Sequence, residues 1–281
     1  MPDPAAPDDR PAWLREGLAR PDPPAQPPDP ASEPPAEPAG EAPRQPSPRR
    51  PAPVVTWTIL GVNLVFLFVE AALSGSARGL VSPSGGALCR LGALNSAAIA
   101  ESGQWWRLFT VMVLHAGVLH FAVNSWALWI FGPVLEQLLG RVRFSLLYLV
   151  SGLSASALSL SLRHTELAVG ASGAIFGLLG ALIAFFLRRR SHPGSQGQLR
   201  NLLVVLAVNL LLGARIPGVD NVAHIGGLLG GFTTMGLLDL AARRRDLEAL
   251  AYALPTAIAI GLVVWGVQTF SGGFNCVTGL S

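Results

Sequence analysis

Polar and apolar positions sort this 281-residue chain into two regimes. Up to about residue 53, proline alternates with small and charged residues, as in Pro27-Pro28-Asp29-Pro30, and no stretch is apolar enough to offset the entropy of ordering it. Beyond it the pattern becomes a series of apolar runs at 54–73, 108–131, 142–162, 168–187, 199–214, 221–241 and 251–270. Most approach the roughly 20 residues with which a helix crosses a bilayer; the fifth is short, and the fourth and sixth are rich in glycine. The pattern predicts an all-α polytopic membrane protein with seven spanning helices behind a disordered tail.

Composition agrees. The chain is 51% apolar and only 13% charged, outside the usual balance of a water-soluble enzyme. The first 53 residues hold 18 of the 23 prolines and more acids than arginines. They lack a basic segment followed by an apolar one, so neither a signal nor a transit peptide is expected there; a polyproline ligand is the alternative to a merely solvated tail. All 20 basic residues are arginine, which removes Schiff-base chemistry on lysine. Cys89 and Cys276 are too few for a disulfide framework or a cysteine metal cluster.

Arginine placement sets the expected orientation, because basic loops stay in the cytoplasm. With the tail inside, the inner segments carry Arg49, Arg50, Arg141, Arg143, Arg188, Arg189, Arg190, Arg200, Arg243, Arg244 and Arg245. The outer ones carry only Arg78, Arg90, Arg107, Arg163 and Arg215. Seven spans then put the C terminus outside. Both cysteines fall on the outer side, where a disulfide is allowed but not required.

Polar side chains at membrane depth are costly and are functional candidates by default. They are His115, His120 and Asn124 in the second run, Ser172 in the fourth and His224 in the sixth. On a helix of about 100° per residue, His120 and Asn124 share a face, whereas His115 lies about 140° from His120. Gly173 and Gly177 form one small-xxx-small pair, and Gly226/Gly230 and Gly227/Gly231 form two more. If the fourth and sixth runs pack through these faces, His224 can approach Ser172 as a base approaches a serine nucleophile, with Phe176 one turn along against the imidazole. Each feature alone has a structural reading, since glycine pairs pack many helices and a lone intramembrane histidine is often only hydrogen-bonded. Their conjunction carries the chemistry.

In chain order, Trp106-Arg107, the array His115, His120 and Asn124, the turn Gly132-x3-Glu136-x3-Gly140, Gly170-x-Ser172-Gly173, and Ala223-His224-x2-Gly227-x3-Gly231 resemble the rhomboid family of intramembrane serine proteases. The resemblance covers roughly residues 54 to 245. It implies a cytoplasmic tail (1–53), a six-helix catalytic core (54–245) and a seventh helix with a short outer tail (246–281). It further implies Ser172 as nucleophile, His224 as general base, and His120, Asn124 and the Ser172 N–H as oxyanion donors. His115 becomes a structural hydrogen-bonding residue, Trp106 and Arg107 pin the outer loop, and Glu136 ties the cytoplasmic turn, for instance to Arg141 or Arg143. Phe176 stands where many members have tyrosine.

No carboxylate is expected to complete a triad. Asp239 lies about 22 Å along a helix from His224, and Asp220 reads as an N-cap. Ser172 and His224 would lie about four and three residues into their spans from the same outer side, the serine some 6 Å down. The implied enzyme needs no cofactor or metal and binds no nucleic acid. It acts on transmembrane segments of other proteins within the lipid bilayer of a bacterial plasma membrane.

Other intramembrane proteases fit poorly, because no His-Glu-x-x-His is present and Asp239 has no partner aspartate at depth. A metal held by His115, His120 and His224 is disfavoured by the helical wheel. A non-cutting relative that binds transmembrane clients is the competing class, and a transporter would need internal repeats that the chain lacks. Bridging of Cys89 to Cys276, tethering the seventh span to the first outer loop, stays open.

Overall fold

The computed structural model describes residues 51–163, 167–242, 244 and 247–278. The expected tail up to residue 50, with Arg49 and Arg50, and the arginines at 243 and 245 lie outside the described residues. Helix α1 (Val54–Leu73) starts directly after Pro53, as its apolar run predicts. An outer loop follows, with a 3-10 turn at Ala77–Leu80, short helices α2 (Gly85–Leu91), α3 (Ser96–Ala100) and α4 (Arg107–Thr110), and a second 3-10 turn at Val111–Val113. The remaining helices are α5 (Val118–Leu139), α6 (Arg141–Arg163), α7 (Ser172–Arg188), α8 (Ser195–Gly213), α9 (Asn221–Ala241) and α10 (Glu248–Gln268). An isolated antiparallel β-bridge joins Leu94 to Ala168.

Helices α1, α5, α6, α8 and α10 are long and apolar enough to cross a bilayer. Helix α7 is apolar but only 17 residues long, and α9 is diluted by glycine, threonine and its polar first turn. The chain is therefore a multi-pass membrane protein, and the helices that carry Ser172 and His224 are the ones least suited to face lipid. Helix α6, 72% buried along its apolar window, packs with them, while α8 is only 11% buried and turns its leucines and valines outward. Outward apolar faces around a glycine-rich centre suit lipid as solvent.

The second apolar run is placed differently from its expected span. Residues 108–117 are not part of α5: Leu108, Val111, Met112 and Leu114 are buried in the short helices and loop ahead of it. Gly117, at φ 112, then turns the chain into α5. His115 consequently sits in an irregular segment, and no helical-wheel angle relates it to His120.

The centre is built by backbone approach. A Cβ on Gly227 would strike the Gly173 carbonyl, and one on Gly231 the Gly177 carbonyl, so these two glycine pairs hold α9 against α7. Gly226 and Gly230 instead face α6, where added Cβ atoms would meet the Ser154 carbonyl and side chain. Two interleaved glycine rows thus give α9 two close neighbours at once.

Polar anchors close both ends. The Glu136 carboxylate accepts from the Val55 and Thr56 N–H groups and from the Thr56 hydroxyl, each at 2.8 Å. The expected link of Glu136 to Arg141 or Arg143 is therefore incorrect: the unpaired donors at the start of α1 claim the carboxylate. Arg143 pairs instead with Glu248 of α10 at 2.6 and 3.0 Å. Asp239 is gripped by Arg189 at 3.0 and 3.1 Å, with Arg188 at 3.6 Å, which removes it from any role at His224.

On the opposite side Cys89 of α2 is disulfide-bonded to Cys276 beyond α10. The segment around that bridge is further held by Asn95 donating to the Phe274 carbonyl and Asn275 donating to Glu101, both at 2.9 Å. Helix α10 itself lies close on α6, where the Ser161 hydroxyl donates to the Leu262 carbonyl at 2.6 Å.

Candidate active site

Ser172 is the first residue of α7 rather than lying a turn into it, because Gly170 takes φ 139 and the helix starts only after Ala171. No side chain caps that helix end, so its first amides, that of Ser172 among them, have no side-chain acceptor and stand at the positive end of the helix dipole. His224 is the fourth residue of α9, set by the Asp220 N-cap that accepts from Ala223 N–H at 3.0 Å. The glycine contacts between α7 and α9 bring His224 Nε2 to 2.9 Å from Ser172 Oγ. Phe176 stacks on the His224 ring at 4.1 Å between centroids and 6° between planes.

The protonation pattern follows from the partners on the far side of each imidazole. Asn221 Nδ2 donates to the Leu210 carbonyl at 3.0 Å, which fixes the amide so that Oδ1 faces His224 Nδ1 at 3.2 Å. An amide oxygen only accepts, so Nδ1 carries the proton and Nε2 presents its lone pair to the serine hydroxyl. His120 is arranged in reverse: its Nδ1 accepts from Ala116 N–H at 3.0 Å, leaving the proton on Nε2. A Cβ added at Gly170 would lie 3.2 Å from that Nε2 and 3.4 Å from Ser172 Oγ, so a donor and the hydroxyl flank one point. The site therefore holds a basic nitrogen and a donor nitrogen on either side of one serine.

Asn124 is buried beside them, and one of its amide hydrogens goes to the His120 carbonyl at 2.8 Å. His115 is fully buried, with its ring edge-on to His120 at 5.6 Å and to Phe121 at 5.3 Å. Its backbone N–H donates to the Glu70 carboxylate at 2.7 Å, tying the segment before α5 to α1. Burial pushes the His115 ring down to about 3, the His120 ring adds to that, and the Val113 carbonyl opposes it. Among the described residues neither ring nitrogen of His115 has a hydrogen-bond partner, so the side chain expected to hydrogen-bond instead packs against the His120 ring.

Arg107 is 2% exposed and spans the outer loop, donating to the Ala93 carbonyl and to Gln104 Oε1, each at 2.7 Å. Burial lowers its pKa. Trp106 lies under the Arg107 guanidinium and against Gly92, where a Cβ would enter its ring. Both residues fasten the loop and neither reaches the serine. Asp220 is occupied by its cap, by the Ser159 hydroxyl and by Arg163 at 3.6 Å. Among the described residues no group of three His, Cys, Asp or Glu side chains could hold a metal ion.

Two contributors were missed in the sequence. Asn221 looks like part of the Asp220 cap in sequence, although its i−3 spacing from His224 puts both on one face. Glu70 is a single carboxylate inside the apolar run 54–73, with nothing in the spacing to link it to the segment at His115.

The Rhomboid domain family model matches residues 102–240, which contain every residue of this site except Glu70. The chain belongs to the rhomboid family. It is 35% identical over 219 residues to Rhomboid protease GluP of Bacillus subtilis (strain 168), covering 77% of this chain and 41% of that protein. It is 45% identical over 154 residues to RHOMBOID-like protein 7 of Arabidopsis thaliana, covering 54% of this chain and 49% of that one. RHOMBOID-like protein 2 of the same plant is 44% identical over 154 residues, with coverages of 54% and 48%. The chain thus spans about half the length of these rhomboid relatives, and the matched Rhomboid domain carries Ser172, His120 and His224.

Proposed function

We propose that the chain is an intramembrane serine endopeptidase that cuts transmembrane segments of other membrane proteins through a Ser172–His224 dyad. The observation that carries this reading is the 2.9 Å approach of His224 Nε2, unprotonated by virtue of Asn221, to Ser172 Oγ. Ser172 Oγ attacks the scissile carbonyl carbon as its proton passes to Nε2. The oxygen that becomes negative is received by the Ser172 N–H, by His120 Nε2–H and by the remaining Asn124 amide hydrogen. His224 then returns the proton to the departing amine, and water, deprotonated by the same ring, hydrolyses the acyl-serine.

Ser172 retains partial exposure, as do Gly170 and His120 beside it, which an intramembrane hydrolase needs for water to arrive. The reading places the chain in a bacterial plasma membrane with its N terminus cytoplasmic, its C terminus outside and cleavage near the outer face. The arginine distribution supports this, as does the Cys89–Cys276 bridge on the side assigned to the oxidising exterior.

The test is cleavage of a fluorescent transmembrane-segment substrate in liposomes by wild type, Ser172→Ala and His224→Ala at matched folding, with a chelator throughout. Activity abolished in both variants and indifferent to chelator is the expected result. A wild type that binds a varied panel of segments and cuts none would replace this reading by client binding without proteolysis.

A further inference from the structure

Between the C-terminal end of α7 and the first half of α8 lies a groove of about 500 Å³ that has no part in the chemistry above. Its walls change character along its length. At one end stand Arg190 and Arg200; beyond them Leu203, Val204 and Ala207 continue along α8 at steps of three and four residues from Arg200, so they form one stripe on one helix face. That stripe runs about 10 Å from the arginine to Ala207.

The two arginines differ from their neighbours. Arg188 and Arg189 are spent on Asp239, whereas Arg190 and Arg200 are exposed and form no ion pair among the described residues. Gln196, also lining the groove, donates to the Arg190 carbonyl and so ties the start of α8 to the end of α7 at the charged end. Two unspent cations at the head of an apolar channel are complementary to one amphiphile: an anion with a hydrocarbon chain. Because α8 is the least buried of the apolar helices, the channel opens toward lipid, where such molecules are plentiful.

We propose that this groove binds an anionic phospholipid, with its phosphate between Arg190 and Arg200 and one acyl chain along Leu203, Val204 and Ala207. Bound there, the lipid bridges the end of α7 and the start of α8 close to the Gln196 bond. The inference is independent of whether the chain cuts peptides, and its test reads no proteolysis.

The purified full-length chain in detergent is titrated with phosphatidylglycerol, with phosphatidylcholine of the same acyl chains, or with inorganic phosphate, and its thermal unfolding midpoint is followed. Phosphatidylglycerol is expected to raise the midpoint saturably, with clearly smaller responses to phosphatidylcholine and to phosphate alone. Removing both charges in Arg190→Gln/Arg200→Gln should raise the phosphatidylglycerol concentration needed by about tenfold or more. Arg215→Gln, which deletes a charge at the other end of α8, should behave as wild type. Arg200→Glu alone, on an exposed helix face, gives the same reading should the double variant fold poorly. Equal responses to the two lipids, or an undiminished response in the arginine variants, would overturn the proposal and leave an ordinary lipid annulus.

Discussion

Asn221 Oδ1 stands 3.2 Å from His224 Nδ1, on the side of the ring away from Ser172, and the Asn221 amide nitrogen is pinned to the Leu210 carbonyl at the end of α8. The ring thus has a neutral orienting partner where the serine triad places a carboxylate. Asn221→Ala should lower kcat about tenfold, the scale of one lost hydrogen bond, with KM nearly unchanged. Asn221→Asp keeps an acceptor in place and should retain more activity than Asn221→Ala. Steady-state kinetics on matched preparations decide it; a rise in KM at constant kcat would assign Asn221 to substrate binding instead.

The contact between α7 and α9 is backbone on backbone at Gly173/Gly227 and Gly177/Gly231, so a methyl group there has no flexible neighbour to displace. Gly227→Ala and Gly231→Ala should each cost about 1–3 kcal/mol of stability, the usual range for overpacking. Catalysis should fall by more than that stability loss explains, because the same contact sets the serine-to-imidazole distance. Gly236→Ala, five residues along α9 from Gly231 with open space at its Cβ, serves as the control and should be neutral or slightly stabilising. Thermal unfolding with parallel activity assays reads both.

The Cys89–Cys276 bridge closes a loop of 187 residues in sequence separation and should stabilise the fold by about 2–4 kcal/mol. Alkylation without reductant should find no reactive thiol, and Cys276→Ser should lower the unfolding midpoint. Asn275→Ala removes the bonds to Glu101 and Ser102 but leaves the bridge, and should lower the midpoint less. Two alkylated cysteines in unreduced protein would sink the prediction.

His115 is held neutral, with its pKa pushed from the ordinary 6.5 to about 3. Below the ordinary value the unfolded chain takes up a proton that the folded one refuses. The stability this residue contributes is therefore complete above about pH 6.5 and drains away as the pH falls toward 3. The unfolding midpoint of wild type should drop more steeply between pH 7 and pH 4 than that of His115→Gln. Parallel slopes would show that the folded protein takes up this proton as readily as the unfolded chain.

Hydropathy read α1 and α9 to their observed bounds because both are flanked by clear stops: Pro53 before one, the Asp220 cap before the other. It failed at the start of α5, since Leu108, Val111, Met112 and Leu114 are as apolar as a span yet fold as short turns under the outer loop. A window average cannot separate a buried apolar loop from a helix in lipid. The glycine rows were visible as spacings, but their division between α7 and α6 needs three helices in place. The partners that set the histidine tautomers were harder still. Ala116 acts through a backbone amide that no residue type announces, and Asn221 resembles part of a cap until its Oδ1 is seen against the ring.

The first amides of α1 have their acceptor in Glu136, about eighty residues further along the chain. When α1 leaves the ribosome that carboxylate has not been made, so Val55 and Thr56 must keep their donors in water or against lipid headgroups until α5 arrives. The start of the first helix consequently lacks this anchor until α5 is made, and its place in the fold is fixed from downstream. A lesion at Glu136 would then show itself first as misplacement of a helix synthesised long before it.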